Sequence, residues 1–158
     1  MSTSAAFLQP FFVLFAETFG VSELPEGFFL DSNDAGLLNT MAALSPEIAS
    51  AARSPEEATI AGHCGHILFL LEFFASHERG EPVAPDWPSS WKVREVDAAQ
   101  WGALQEQLRT NYAALVGRLQ ARENFPDEAI GAAMMLLTHC AYHVGEIRQR
   151  LLWVAAGQ

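Results

Sequence analysis

The chain has 158 residues, half of them hydrophobic, and this predicts a single domain with a complete core over residues 1–158. With 19 acidic residues against 9 basic ones, its formal net charge is −10. Such a surface repels phosphate backbones, so we expect no nucleic-acid partner.

The cysteines and the apolar opening segment bear on the compartment. Cys64 and Cys140 form neither a CxxC pair nor a disulfide framework, which favours a reducing cytoplasm. The opening MSTSAAFLQPFFVLFAETFGV has no Lys or Arg before its apolar part. Its apolar run is far short of the roughly 20 residues that span a bilayer. We therefore predict a cytoplasmic protein with a buried first helix and no membrane segment.

The first third of the chain predicts two helices. Pro10 suits the first turn of a helix that runs to about Phe19 and ends at Gly20. After a turn-rich segment, a short helix over residues 34–44 is expected, broken by the pair Ser45-Pro46.

A longer helix and a loop follow. The run Ser54-Pro55-Glu56-Glu57 has the pattern of a helix start, with an N-cap serine, a proline at the first position and acids in the first turn. This helix should extend to Glu78 and stop at Gly80. Residues 81–97 contain three prolines and two tryptophans and predict a loop packed over the bundle.

Two more helices complete the predicted fold. Residues 97–122 carry apolar side chains at helical spacing: Trp101, Leu104, Leu108, Tyr112, Leu115 and Leu119. The last helix is expected over residues 126–155. No segment alternates with the period of a strand, so we predict an all-α four-helix bundle with a short extra helix and a Trp/Pro-rich loop.

The last helix carries two histidines one turn apart, in the stretch THCAYHVGEIRQRL. At about 100° per residue, His143 lies about 40° and Glu146 about −20° from His139, so the three share one stripe. The other side of this helix is apolar too. We therefore expect a central helix whose histidines are buried or line a cleft.

His63 and His66 lie about 60° apart on the earlier long helix. Histidines from two helices can thus converge on one interior point. Buried imidazoles need partners for their nitrogens, and a divalent metal ion would satisfy several of them at once. Histidines that merely bond to core hydroxyls or carbonyls are the alternative, and the residues alone leave both open.

Two segments carry a resemblance to a known family. TIAGHCGHILFLLEF, residues 59–73, and HCAYHVGEIRQ, residues 139–149, resemble the DinB/YfiT-like family of bacterial metal-binding four-helix bundles. The stretches DWPSSW and DAGLLNTMAALSPEIAS resemble one branch of it, so the likeness covers nearly the whole chain.

The resemblance implies a set of metal ligands. His139 and His143 match the terminal pair of the family motif. The third ligand follows a helix-starting Ser or Thr by seven residues, and Thr59 with His66 fits this spacing. His63 is then either the alternative ligand or a neighbour of the site.

Glu146 stands where the family often has Gln or another polar group. The resemblance implies that it could orient a ligand imidazole or accept a proton at the site. An ion pair with Arg150, four residues later, is the competing interpretation.

A site of three imidazoles leaves a coordination position open, as catalytic metal sites do. Zinc and nickel both suit it. The family resemblance implies a thiol-dependent S-transferase or a hydrolase acting on a small molecule, with a low-molecular-weight thiol as a co-substrate in the first case. It also implies a homodimer, for which the apolar first helix would be suited. The alternative is a helical bundle that binds a metal or a small molecule without catalysis.

Overall fold

The computed structural model describes residues 3–23, 27–31 and 35–156, with side chains from Leu8 onward. All regular elements of this described part are helices, which confirms the all-α prediction. They are α1 (Thr3–Phe19), α2 (Leu37–Ala42), α3 (Pro46–Ala49), α4 (Ile60–Glu78), a short 3₁₀ helix (Pro88–Trp91), α5 (Ala98–Ala121) and α6 (Asp127–Ala155).

The four long helices form the bundle. Helix α4 packs against both α5 and α6, and α1 packs against α6. Aromatic rings join α1 to α5, because the ring of Phe19 stacks on that of Tyr112 with centroids 4.4 Å apart. The core between these helices is fully apolar at its centre, where Phe15, Leu71 and Leu108 are completely buried.

Helix α5 agrees closely with the sequence prediction. Its buried side chains are the six predicted ones: Trp101, Leu104, Leu108, Tyr112, Leu115 and Leu119. Asp97 caps the helix and forms a capping box with Gln100. Because one face of this helix is apolar and the rest is polar, the helix can be predicted from the sequence alone.

The start of α1 was predicted wrongly. The helix begins at Thr3, so Pro10 lies in its interior and not in its first turn. A proline there removes one helical hydrogen bond. The buried rings of Phe11, Phe15 and Phe19 pack along one face of this helix, and their burial outweighs the lost bond.

The short helix of residues 34–44 was also placed too broadly. The described helix α2 covers Leu37–Ala42, and the predicted first residue, Asp34, lies outside the described residues. Ser45 follows α2 and also caps the next helix, α3, because its side chain accepts a hydrogen bond from the backbone N–H of Ile48.

The predicted start of the long helix at Ser54 is wrong. Helix α4 begins at Ile60, and Thr59 is its N-cap. The Thr59 hydroxyl accepts from the Gly62 N–H at 2.9 Å and donates to the Arg94 carbonyl at 2.7 Å. A contact with a distant loop thus sets the helix start, which the local Ser-Pro-Glu-Glu pattern cannot reveal. The predicted end at Glu78, with Gly80 at a φ of +73°, is confirmed.

Residues 81–97, here called the strap, lie directly on α4. A Cβ atom on Gly65 would come within 3.0 Å of the Val93 side chain, and one on Gly62 within 3.0 Å of the Val93 carbonyl oxygen. The two glycines therefore let the strap approach the helix backbone. This close approach brings the 3₁₀ helix over the histidines of α4.

Helix α6 is less central than the sequence indicated. Met134 and Met135 are each 52% exposed and Tyr142 is 61% exposed. The helix packs on α1 and α4 and leaves its outer face in contact with solvent. Within the described part of the chain, no helix is both long and apolar enough to cross a membrane.

Candidate metal centre

Three histidines from two helices converge on one point. His66 comes from α4, while His139 and His143 project from the same side of α6 because they are one turn apart. One ring nitrogen from each lies within 4.8 Å of the other two, so the three could hold a metal ion. His66 and His143 are buried and His139 is half-buried.

The spacing of the nitrogens suits a small divalent ion. The Nε2 atoms of His66 and His139 lie 3.3 Å apart. Two nitrogens bound to a tetrahedral zinc ion at its ordinary bond length are separated by about 3.3 Å. The remaining separations within the group are at most 4.8 Å.

A second observation supports the fit. The Nε2 atom of His143 is completely buried and has no hydrogen-bond partner among the described residues. A buried ring nitrogen without a partner costs free energy of folding. A cation bound through this atom would satisfy it, and the residues therefore fit a bound metal.

His63 lies behind His143 and outside the group of three. Its Nδ1 is 2.9 Å from Nδ1 of His143, so one of these two atoms donates a proton to the other. The Nε2 atom of His63 is buried and likewise unpartnered among the described residues. The structure thus places His63 against the back of a candidate ligand, in the neighbouring position that the sequence analysis left open for it.

Burial keeps these imidazoles neutral. Burial, with smaller effects of nearby charges, lowers the pKa of His63 and of His66 to about 4 and that of His143 to about 3. Burial also lowers the pKa of His139. Metal ions bind the neutral form of histidine, so these imidazoles are in the form that can bind a metal ion at neutral pH.

The strap supplies contacts that the sequence analysis missed. The Trp91 ring stacks on the His66 ring, with centroids 4.2 Å apart and planes 14° apart. The neighbouring Ser90 is buried, and its Oγ lies 2.7 Å from Nδ1 of His66. The only sequence signal for these contacts was the resemblance carried by DWPSSW, because a contact between a loop and a distant helix leaves no local pattern.

Glu146 is held by Arg150. Its Oε2 accepts from the Arg150 guanidinium at 2.7 Å, and Arg150 also donates to the Ala58 carbonyl at 2.7 Å. The hydrogen bond from Arg150 lowers the pKa of Glu146. The structure therefore contains the predicted ion pair, and the carboxylate is ionised at neutral pH.

The other singled-out residues lie apart from the three ring nitrogens. Cys64 and Cys140 are fully buried core residues, and burial raises the pKa of both thiols. His77 is exposed, and its Nδ1 donates to the Phe73 carbonyl at 2.9 Å. A cavity of about 580 Å³ lies on another side of α4, between α5 and the strap, and Ser90 is part of its wall.

Comparison with known proteins assigns the family. The sequence profile described as the DinB superfamily matches residues 30–147, which is most of the chain. No curated protein matches the chain, and no solved structure does either. The matched segment contains all three converging histidines and the strap. The chain therefore belongs to the DinB superfamily.

Proposed function

We propose that the protein binds a divalent metal ion, zinc or nickel, through His66, His139 and His143. The observation that carries this proposal is the buried Nε2 atom of His143, which has no partner among the described residues and belongs to one of the three converging rings. Neutral imidazoles at this spacing suit either metal.

The proposal extends to catalysis on a small molecule. A divalent ion held by His66, His139 and His143 would supply Lewis acidity and would make a bound water or thiol more acidic. A thiol-dependent S-transferase or a hydrolase would use this chemistry, the former with a low-molecular-weight thiol as co-substrate. His139 is the most exposed of the three histidines, so substrate would approach from its side.

Glu146 is proposed to orient the site and not to act as a strong base. Its ion pair with Arg150 holds its pKa below the ordinary value, which makes the carboxylate a weak proton acceptor. Its charge still favours a proton on the neighbouring His63.

Elemental analysis of the untagged protein, purified without chelator, tests the metal site. We expect near-stoichiometric metal in the wild type and in His63→Ala, and little metal in His66→Ala and His139→Ala. His77→Ala is the matched control, because it removes an exposed histidine of the same helix as His66. A folded wild type that takes up neither zinc nor nickel would contradict the proposal.

Catalysis needs a separate test, because a metal site in a helical bundle can also serve binding alone. The metal-loaded wild type and the His66→Ala variant would be assayed side by side for thiol transfer to electrophilic substrates and for hydrolysis. Activity in the wild type alone supports the enzyme. Stoichiometric metal without any turnover supports the non-catalytic bundle.

We further propose a homodimer in the cytoplasm. Three side chains on the outer face of α6, Met134, Met135 and Tyr142, are apolar and more than half exposed. Such a cluster is typical of contact surfaces. The phenylalanines of α1 do not support the dimer, because Phe11, Phe15 and Phe19 are buried in the bundle itself. Light scattering on the purified protein measures the oligomeric state.

A further inference from the structure

Ser90 forms two short contacts through one hydroxyl. The side chain is buried, with 4% of the residue exposed. Its Oγ lies 2.7 Å from Nδ1 of His66 and 2.6 Å from the backbone carbonyl oxygen of Trp87. A hydroxyl has one proton, and a carbonyl oxygen can only accept. The proton must therefore lie between Oγ and the Trp87 carbonyl, since two bare oxygens would repel each other at this distance.

This assignment decides the state of His66. With its proton committed to the Trp87 carbonyl, Oγ can only accept from the imidazole. Nδ1 of His66 must then carry the N–H. A neutral imidazole has one N–H, so its Nε2 keeps a lone pair, and Nε2 is the atom that lies 3.3 Å from Nε2 of His139.

We propose that Ser90 is a positioning residue whose hydroxyl, fixed by the Trp87 carbonyl, holds His66 as the Nδ1–H tautomer and presents its Nε2 lone pair to His139 and His143. The effect of Ser90 on metal affinity rests on the proposed function. The tautomer itself does not, because it follows from the hydrogen bonds of the metal-free protein.

His143 differs from His66, because its Nδ1 atom contacts another imidazole and not a hydroxyl group. Its Nδ1 faces Nδ1 of His63, and either imidazole can donate to the other. Nothing in this pair selects the tautomer with a lone pair on Nε2 of His143. His66 therefore already has the tautomer that a metal ligand needs, whereas metal binding must select the corresponding tautomer of His143.

Trp91 holds the same ring in a different way. Its stacking fixes the plane of the His66 imidazole but does not distinguish one nitrogen from the other. Replacing Ser90 by alanine removes the hydroxyl and leaves this stacking in place. The role of Ser90 can thus be separated from that of the strap as a whole.

The test is nitrogen-15 NMR of the histidine rings in metal-free protein at pH 7.5. We expect the wild type to show the proton of His66 on Nδ1, and Ser90→Ala to show a population with the proton on Nε2. Ser89→Ala is the matched control, because Ser89 is the adjacent, half-buried serine and its hydroxyl donates to the Asp86 carbonyl of the same loop, at 3.1 Å.

Zinc titration of the same proteins measures how the loss of the Ser90 hydroxyl changes the metal affinity. Ser90→Ala should bind zinc about 10 to 100 times more weakly than wild type, whereas Ser89→Ala should bind it unchanged. Ser90→Thr, which keeps the hydroxyl, should restore the tautomer and most of the affinity.

Two results would overturn the proposal: a wild-type His66 with its proton on Nε2, or a folded Ser90→Ala protein with an unchanged tautomer. If Ser90→Ala does not fold, the wild-type spectrum still decides. A wild type that has Nδ1–H on His66 and binds no zinc would refute the proposed metal function while supporting the assignment of Ser90.

Discussion

The Nε2 atom of His143 is the most informative single atom of the site. It is buried and has no hydrogen-bond partner within the described part of the chain, and the same is true of Nε2 of His63. Unpaired polar atoms in a core cost stability, and proteins retain them where a ligand or a reaction needs them. Two such atoms within one cluster of four imidazoles favour a binding site over a core in which every polar atom is satisfied.

The buried histidines predict an acid-sensitive metal-free protein. In the fold the pKa values of His63 and His66 are about 4 and that of His143 is about 3, against an ordinary value of 6.5. Below pH 6.5 the unfolded chain binds protons that the folded chain does not. The free energy of unfolding should therefore fall as the pH decreases from 6.5 towards 4, by up to about 3 kcal/mol for each buried imidazole.

Urea unfolding of the metal-free protein at pH 7.5 and pH 5 measures this loss. The midpoint should be lower at pH 5 in the wild type and in His77→Ala, whose histidine is exposed. His66→Phe should lose less between the two pH values, since it has one buried imidazole fewer. An unchanged wild-type midpoint would show that these imidazoles are not held neutral by burial.

At the scale of elements, helix α4 and the strap build the site together. Thr59 ties the start of the helix to the strap, and Gly62 and Gly65 let the strap lie close above it. Ser90 and Trp91 reach His66 only because of this approach. Gly62 and Gly65 each precede a buried histidine, His63 and His66, by one residue, so one short segment supplies both the imidazoles and the space above them.

This close approach makes Gly65→Ala unfavourable. Alanine is worth about 1 kcal/mol more than glycine inside a helix. At this position, however, its Cβ would lie 3.0 Å from Cγ2 and 3.1 Å from Cβ of Val93. Moving Val93 displaces the strap, and such overpacking costs about 1–3 kcal/mol. We expect a net loss of stability together with weaker zinc binding.

Gly117→Ala on α5 is the matched control. A Cβ at Gly117 meets no heavy atom within 4 Å outside its own helix, so this variant should gain up to about 1 kcal/mol. Denaturant unfolding and zinc titration of both variants provide the comparison. A Gly65→Ala protein as stable as Gly117→Ala, with full zinc affinity, would show that the strap adapts without cost.

The elements differ in how far their sequence predicts them. Helix α5 has one apolar face and was predicted almost to the residue. The start of α4 was not, because the hydroxyl of Thr59 is fixed by Arg94 of the strap and not by its neighbours in sequence. Helical spacing predicted that His139 and His143 share one side of α6, and the family motif favoured His66 over His63, which is the α4 histidine that lies in the converging group. Ser90 was missed, because the strap has no periodic pattern to show which of its side chains point inwards.

At the scale of the whole molecule, the site joins two helices that the bundle holds side by side. His66 belongs to α4, and the other two candidate ligands, His139 and His143, belong to α6. In the unfolded chain, His66 lies more than seventy residues from His139 and His143, so the unfolded chain holds no comparable site. A metal that binds the folded protein alone stabilises it by mass action.

Zinc should therefore raise the melting temperature of the metal-free protein. At a free concentration of 100 times the dissociation constant, the gain is about 2.7 kcal/mol. For a domain of this size the corresponding shift is roughly 5–10 °C. A chelator should reverse it. Differential scanning calorimetry with and without zinc, followed by chelator, measures both steps.

The net charge of −10 makes a control necessary, because such a surface attracts divalent cations without any specific site. Magnesium shares this general attraction but prefers oxygen ligands, so it should shift the melting temperature little. His66→Ala keeps the surface charge and lacks one ligand, so zinc should no longer stabilise it. An equal zinc shift in His66→Ala and wild type would locate the effect on the acidic surface and remove the thermodynamic support for the three-histidine site.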